Sequence, residues 1–547
     1  MHGGFRSGAV LRRFWVWGVR MTAFINRFIP DAQNIDADQW LEQQIASDVT
    51  EGMAGRKMTA AQCADACRFQ FAAGNNRAAR AFVENQQRIV YPASKHGLLP
   101  ERLRLESVDW WTRQLTKRNT RESEQARVKR GRVHRYVSDD LLTVYREARQ
   151  RMRCWVERAT LTDRNTGDVL DLQTVAAASQ SNPENRRNEL MTRIHGMESF
   201  SLCRGHSGRF ITITAPGRFH ANSGARYVGL SPRQVHDYLM LCWERTRADW
   251  SRNDITVYGL RVAEPHTDGC PHWHLLMWFE SGKQAQVGIR MLRKHFLRVA
   301  GHEAGAVKNR VKTMSVNPYK GGAAAYIAKY VAKNVDGAYL DNHHDDGQQT
   351  ASGSEGAERV RAWASAWGIR QFQFIGGPKV GPWRELRRVR DIDDVPAEMV
   401  LHWAFADSGD WYGYMIACEI APIKTARRTF ADDLAALMAK YGSAEAIPDD
   451  DILDLPTLSG YQEPSEVVMG IECDGVTLIT RQPGRWKLKV AAPVEHEAEP
   501  QNRLEAYALV NYRDVEPDWD DLVGYASQVG VWGRARPQGP PALDLWQ

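Results

Sequence analysis

The 547-residue sequence has no C-x-x-C pair, no G-x-x-x-x-G-K-S/T loop and no run of about 18 uninterrupted apolar residues. With its eight cysteines scattered along the chain, the first absence speaks against a disulfide scaffold and fits a reducing, intracellular setting. Cys63 and Cys67 stand one helical turn apart. They read as small buried hydrophobes, a metal site with distant partners being the alternative. The second absence removes the phosphate cradle of a nucleotide-driven motor, and the third removes a membrane-spanning helix. Net charge is scarce too: +6 over the whole chain does not by itself call for a polyanionic partner, so its distribution matters more than its total. The opening "VLRRFWVWGVRM" is apolar between arginines but has no small-residue cleavage site, so it does not read as a secretory signal; Met21 is a second candidate start.

What is present points to globular structure. Hydrophobic residues make up 43% and charged residues 25%, and the length suits two to four domains. Residues 1–37 read as an N-terminal extension and 38–198 as mainly helical and basic, with alanine-rich runs of helical period. Within that region Arg113, Lys117, Arg118, Arg127, Lys129 and Arg130 crowd together with Trp110, Trp111 and Tyr136. Cations interleaved with aromatics suit a phosphate backbone and stacked bases, which makes these six the candidate DNA-binding residues. A solvated helix face is the plainer reading, since Glu122 and Glu124 lie there as well.

From Ser199 the rhythm changes. "RFITITAP", "DITVYGLRVAEP", "HWHLLMWFE" and "IRQFQFIGG" read as strands. "SPRQVHDYLMLCWERTRADW", "VGIRMLRKHFLRVAG", "GGAAAYIAKYVAKNV" and "RVRAWASAWG" read as helices, the second closed by Gly301 and the third entered through Gly321 and Gly322. The expected fold is α+β, a central antiparallel sheet flanked by helices over residues 199–390. Residues 391–547 turn acidic and proline-punctuated, with "GVTLIT" and "RWKLKVAAP" suggesting a small mixed module of unknown role.

Two patterns carry chemistry. In a strand, residues two apart share a face, so His272 and His274 present both imidazoles together. A hairpin across "PHTDGCP" would bring Glu264 level with them, giving two nitrogens and one oxygen, a set suited to Mg²⁺ or Mn²⁺ and acceptable to zinc. His266 and Asp268 are rival third ligands, and hydrogen-bonded structural histidines are the alternative to a metal site. In the helix "AAAYIAKYVAKNV", Tyr326 and Tyr330 are four apart and share a face, with Lys329 and Lys333 three residues after each. Taken alone, such a tyrosine pair is more often packing than catalysis.

Together, "FITITAP", "PHWHLLMWF" and "YIAKYVAK" resemble, in order, the three motifs of the HUH endonucleases, the superfamily of rolling-circle initiators, relaxases and single-strand transposases. "EPHTDGCPHWH", "NPYKGGAAAYIAKYVAKN" and "RVRAWASAWGIRQFQFIGGP" resemble the replication gene A proteins of tailed phages and prophages, over roughly residues 210–388. The resemblance implies a divalent metal held by His272, His274 and Glu264, with Tyr326 and Tyr330 as nucleophiles assisted by Lys329 and Lys333. It implies an origin-nicking and strand-joining enzyme of the bacterial cytoplasm, acting on single-stranded DNA through a 5′-phosphotyrosine. A host helicase is the expected partner, because unwinding must come from somewhere and the chain lacks motor motifs, and no membrane role is expected. A transposase, a relaxase or a non-catalytic origin-binding protein is the competing reading.

Overall fold

The computed structural model describes residues 60–72, 107–133, 135–317, 353–442 and 465–491. It also describes the single positions 322, 327, 330, 331, 334 and 335 and a few residues between 446 and 457. The N-terminal extension and the end of the acidic region lie outside the described residues.

A five-stranded sheet organises the chain, in the order β6-β3-β5-β4-β7. Its strands are β3 (Ser207–Thr214), β4 (Val257–Pro265), β5 (Pro271–Phe279), β6 (Val311–Ser315) and β7 (Phe372–Ile375), and every pairing is antiparallel. The α+β expectation is met. β5 lies in the middle because its apolar run from Leu275 to Phe279 has to be covered on both faces, and all five of those side chains are buried. β4 comes close beside it through Gly259, where a Cβ would sit 1.9 Å from the Leu276 carbonyl oxygen.

Each face has its own core. On one, Ile211, Ile213, Trp273, Leu275, Met277 and Phe279 pack under helices Pro232–Arg252, Gly282–Phe296 and Gly353–Trp367. The first helix begins on a full capping box, Ser231 with Gln234, and carries proline in its first turn. The second starts earlier than its apolar pattern suggests and stops short of Gly301. The Ser281 hydroxyl accepts the Gln284 N–H and fixes the start there. On the opposite face Phe210, Tyr258, Leu260, Leu276 and Trp278 meet helix Pro183–Arg204 through Leu190, Ile194, Met197 and Phe200. Ile327, Val331 and Val335, four apart and all buried, pack into the same core.

This second core runs past residues 198 and 390. Helix Pro183–Arg204 straddles the first position, and beyond the second Trp411 and Tyr414 lie 4.9 and 5.0 Å from the Trp383 ring. Two three-stranded sheets complete the described chain. In one, β1 (Ala159–Asp163) pairs with β2 (Val169–Asp171) and, across most of the sequence, with β11 (Trp486–Val490). In the other, β9 (Glu466–Cys473) lies between β8 (Ile423–Thr429) and β10 (Val476–Ile479). β10 and β11 are the two strands expected in the acidic region. Cys63 and Cys67 are buried and unbridged on helix Ala60–Ala72, and burial pushes the Cys63 thiol pKa up.

Candidate metal centre and tyrosine helix

Along the second face the sheet changes character. Its inner part is Phe210, Leu260, Leu276 and Trp278; toward the β4–β5 turn the same face presents Thr212, Thr214, His274, His272 and Glu264. Register explains the cluster. His272 is directly opposite Glu264 on β4 and Thr214 on β3, while His274 is opposite Val262 and Thr212. The turn holds that register through the His266 N–H to the Cys270 carbonyl (2.8 Å) and Gly269 at φ +82°.

The three side chains converge. His272 Nε2 is 3.0 Å from His274 Nε2, and Glu264 Oε2 is 3.9 and 3.7 Å from those two nitrogens. A triangle with these sides has a circumradius of about 2.1 Å, the length of a metal–imidazole or metal–carboxylate bond. The donor set and its spacing therefore fit one divalent cation, and it is the one such group among the described residues. The cluster is nearly closed to solvent, with Glu264 at 1% exposure, His274 at 8% and His272 at 12%. A carboxylate at that depth is stabilised by a cation beside it, which gives the site a reason to take one. Thr212 Oγ1 lies 3.3 Å from His274 Nδ1, the contact that keeps Nε2 turned inward.

Neither rival ligand is part of the converging group. Burial opposes ionisation of Asp268, but a hydrogen bond from His220 and the backbone N–H groups of Cys270 and Asn222 hold its carboxyl below the ordinary value. The His266 ring lies against His272, centroid to centroid 4.1 Å, and the His220 ring lies 4.9 Å beyond it.

Of the tyrosine helix, Tyr330 is brought to the cluster: its ring is 4.1 Å from His274 and 5.7 Å from Phe210. Tyr326, Lys329 and Lys333 lie outside the described residues. Asn334, one turn beyond Tyr330, was not singled out by sequence reasoning. Its Nδ2 donates to Glu264 Oε1 and to the Tyr330 carbonyl, and its Oδ1 accepts from Gln371 Nε2 at 3.0 Å. The available signal was its position four residues after Tyr330, on the same helix face.

Gly322 stands where this helix was expected to begin. It has φ +68°, and a Cβ there would meet Glu198 Oε1 at 2.5 Å. The carboxylate can swing aside, but the backbone cannot, and an L side chain in that region costs roughly 1–2 kcal/mol. Gly322→Ala is expected to lower unfolding free energy by about that amount in urea titration, with Gly322→Asn losing distinctly less because asparagine tolerates the conformation.

The six candidate DNA-binding residues sit on or just past helix Val108–Lys129, which the Ser107 side chain caps. They do not share one exposed face. Arg118 is buried with Glu122 at 3.6 Å, Arg113 and Lys117 are half-buried, and Arg127 pairs with Asp140 at 2.6 Å. Lys129 and Arg130 are exposed at the C-terminal end. There a cleft of about 470 Å³ is lined by Ser123, Arg127, Arg130, Arg132 and the N-terminal turn of the next helix. The following loop turns through Arg135 (φ 54°) and Tyr136 (φ 80°) and docks on the β4–β5 turn, Tyr136 N–H to Thr267 O at 3.1 Å.

An antiparallel sheet that carries a His-x-His pair and a carboxylate beneath a tyrosine helix defines the class of the molecule: an α+β protein with a candidate metal centre on its sheet. The chain belongs to the bacteriophage replication gene A protein family, whose model matches residues 41–338. It is 37% identical to the replication protein of Haemophilus phage HP1 over 343 residues, 61% of this chain and 43% of that one. It is 36% identical to the replication gene A protein of Escherichia phage P2 over 57% of this chain and 44% of that one. A probable replication endonuclease from a prophage-like region of Salmonella paratyphi A is 36% identical over 53% and 38%. The chain thus spans less than half the length of these curated relatives. No solved structure matches it. No helix among the described residues is long and apolar enough to cross a membrane.

Proposed function

We propose that the chain is a site-specific single-strand DNA endonuclease and strand-joining enzyme of the HUH type, which nicks a replication origin and starts rolling-circle replication of a phage or prophage genome. The observation that carries this reading is the convergence of Glu264, His272 and His274 with the Tyr330 ring set against His274. Family membership and the replication endonuclease named among the relatives support it.

Mg²⁺ or Mn²⁺ held by those three side chains would polarise the scissile phosphate and stabilise charge developing on it. The phenol oxygen of Tyr326 or Tyr330 attacks phosphorus. The bond from phosphorus to the 3′ oxygen breaks, and the phenolic proton passes to solvent or to a neighbouring base as that oxygen leaves protonated. A 5′-phosphotyrosine and a 3′-hydroxyl result. An unperturbed phenol has a pKa of about 10, so the ammonium groups of Lys329 and Lys333 serve to stabilise the phenolate. One ester is exchanged for another, so the reverse attack by a 3′-hydroxyl reseals a strand without ATP. With two tyrosines, one can hold the first 5′ end while the other cuts the regenerated origin. Unwinding is left to a partner, a host helicase.

For the DNA, the exposed surface is better represented by Lys129, Arg130, Arg132 and Arg135 than by the middle of the basic helix. These residues lead to a loop tied to the histidine hairpin itself. The test is a labelled single-stranded origin oligonucleotide incubated with the full chain and Mn²⁺. The expected outcome is a protein–DNA adduct that survives denaturant and disappears with chelator. Tight binding with no adduct on any origin-derived strand would favour a non-catalytic origin-binding protein.

A further inference from the structure

We propose that Asn334 is a positioning residue for the candidate metal centre: it fixes the Glu264 carboxylate so that Oε2 is offered to the cation, and it couples that setting to the tyrosine helix. The inference rests on the cation occupying the Glu264–His272–His274 site, as in the proposed function.

The hydrogen-bond chemistry leaves one orientation for the amide. Glu264 Oε1 and the Tyr330 carbonyl can only accept, so both N–H groups of Asn334 Nδ2 are committed to them. Its Oδ1 is left to accept from Gln371 Nε2. Gln371 is itself anchored to the sheet, because its carbonyl accepts the Ala263 N–H at 2.8 Å, one residue before Glu264. A closed circuit results, from Ala263 through Glu264, Asn334 and Gln371 back to Ala263. Both amides are buried, Asn334 at 1% and Gln371 at 6% exposure.

The circuit divides the labour of the two carboxylate oxygens. Oε1 is held by Asn334, while Oε2 faces the two imidazole nitrogens. With that donor removed, Oε1 loses this hydrogen bond in a nearly dry site and the carboxylate is held less firmly. Cation binding must then re-order it. The same Nδ2 holds the Tyr330 carbonyl at 2.6 Å, so the helix is registered against the carboxylate rather than merely against the apolar core. Aspartate would not serve, since a carboxylate cannot donate to either acceptor. Asn334 does not ligate the cation, because its oxygen points to Gln371.

The test is Mn²⁺ binding to the full chain without DNA, read from the paramagnetic resonance of unbound Mn²⁺. Asn334→Ala is expected to bind Mn²⁺ about 10–100-fold more weakly, the usual cost of removing a partner that orients a ligand. Gln371→Ala, one bond further out, is expected to lose less. In the adduct assay the Mn²⁺ concentration for half-maximal rate should rise in parallel, with the rate at saturating Mn²⁺ returning to within about threefold of wild type. A merely structural role would lower the maximum or the folded fraction and leave half-saturation unmoved. Should Asn334→Ala not fold, Asn334→Ser keeps one donor and is expected to fall between alanine and wild type. An Mn²⁺ affinity within twofold of wild type in the folded variant overturns the proposal while leaving the metal centre intact. A wild-type chain that takes up no Mn²⁺ overturns both.

Discussion

Changing Tyr326 and Tyr330 together to phenylalanine is expected to eliminate the denaturant-resistant DNA adduct while leaving single-stranded DNA affinity within about twofold. The substitution removes two oxygens and nothing else. The Tyr330 ring packs against His274 at 4.1 Å and Phe210 at 5.7 Å, and phenylalanine keeps both contacts. No other side chain in the proposal can form the ester, so the loss should reach the assay's floor, on the order of 10⁴-fold or more, as expected when a nucleophile is deleted. Affinity is carried by phosphate contacts elsewhere, and it should keep its steep fall with salt. The measurement pairs a gel under denaturing conditions with fluorescence anisotropy on the same oligonucleotide. An adduct that persists in the double variant would place the nucleophile elsewhere and detach the tyrosine helix from the chemistry.

The parts of this site legible in the sequence are those fixed by short-range periodicity. The two-residue spacing of His272 and His274 puts them on one face whatever the rest of the sheet does. The short turn after β4 leaves Glu264 few partners other than His272, and register pairs them directly. Tyr330 was legible for the same reason, four residues being one helical turn. β6 escaped because four of its five residues are exposed, as suits an edge strand, so no apolar alternation marks it. The pairing of β1 with β11 escaped because it joins residues 159–163 to 486–490, a contact no local pattern announces.

The basic helix shows a different limit. Composition reveals how much charge a segment carries but not which way each side chain turns. Arg121, on the same helix, donates to the Ala366 carbonyl at 2.6 Å, and Arg118 is buried beside Glu122, so neither lies on the exposed side of the helix. Asn334 and Gln371 were hidden for the converse reason. Neutral amides carry no charge signature, and their importance appears only when the fold brings them within hydrogen-bond reach of a buried carboxylate.

Glu264→Gln is expected to separate the protein's stability from its chemistry. In the metal-free protein Glu264 places a carboxylate at 1% exposure, 3.9 and 3.7 Å from two imidazole nitrogens. Glutamine keeps the shape and an acceptor for Asn334 but removes the buried charge, so the metal-free variant should unfold at the same temperature as wild type or slightly higher. Adding Mn²⁺ should reverse that order. A ligand that binds only the folded state stabilises it by RT ln(1 + [L]/Kd), about 2.7 kcal/mol at one hundred times Kd. Wild type should gain that increment. Glu264→Gln should gain much less, and His272→Ala combined with His274→Ala essentially none, with adduct formation falling in the same sequence. Thermal unfolding with and without Mn²⁺ measures it, and chelator returns wild type to its starting curve. If Mn²⁺ raised the unfolding temperature equally in all three chains, the cation would be bound somewhere other than on this sheet, and the proposed route to the phosphotyrosine would lose its Lewis acid.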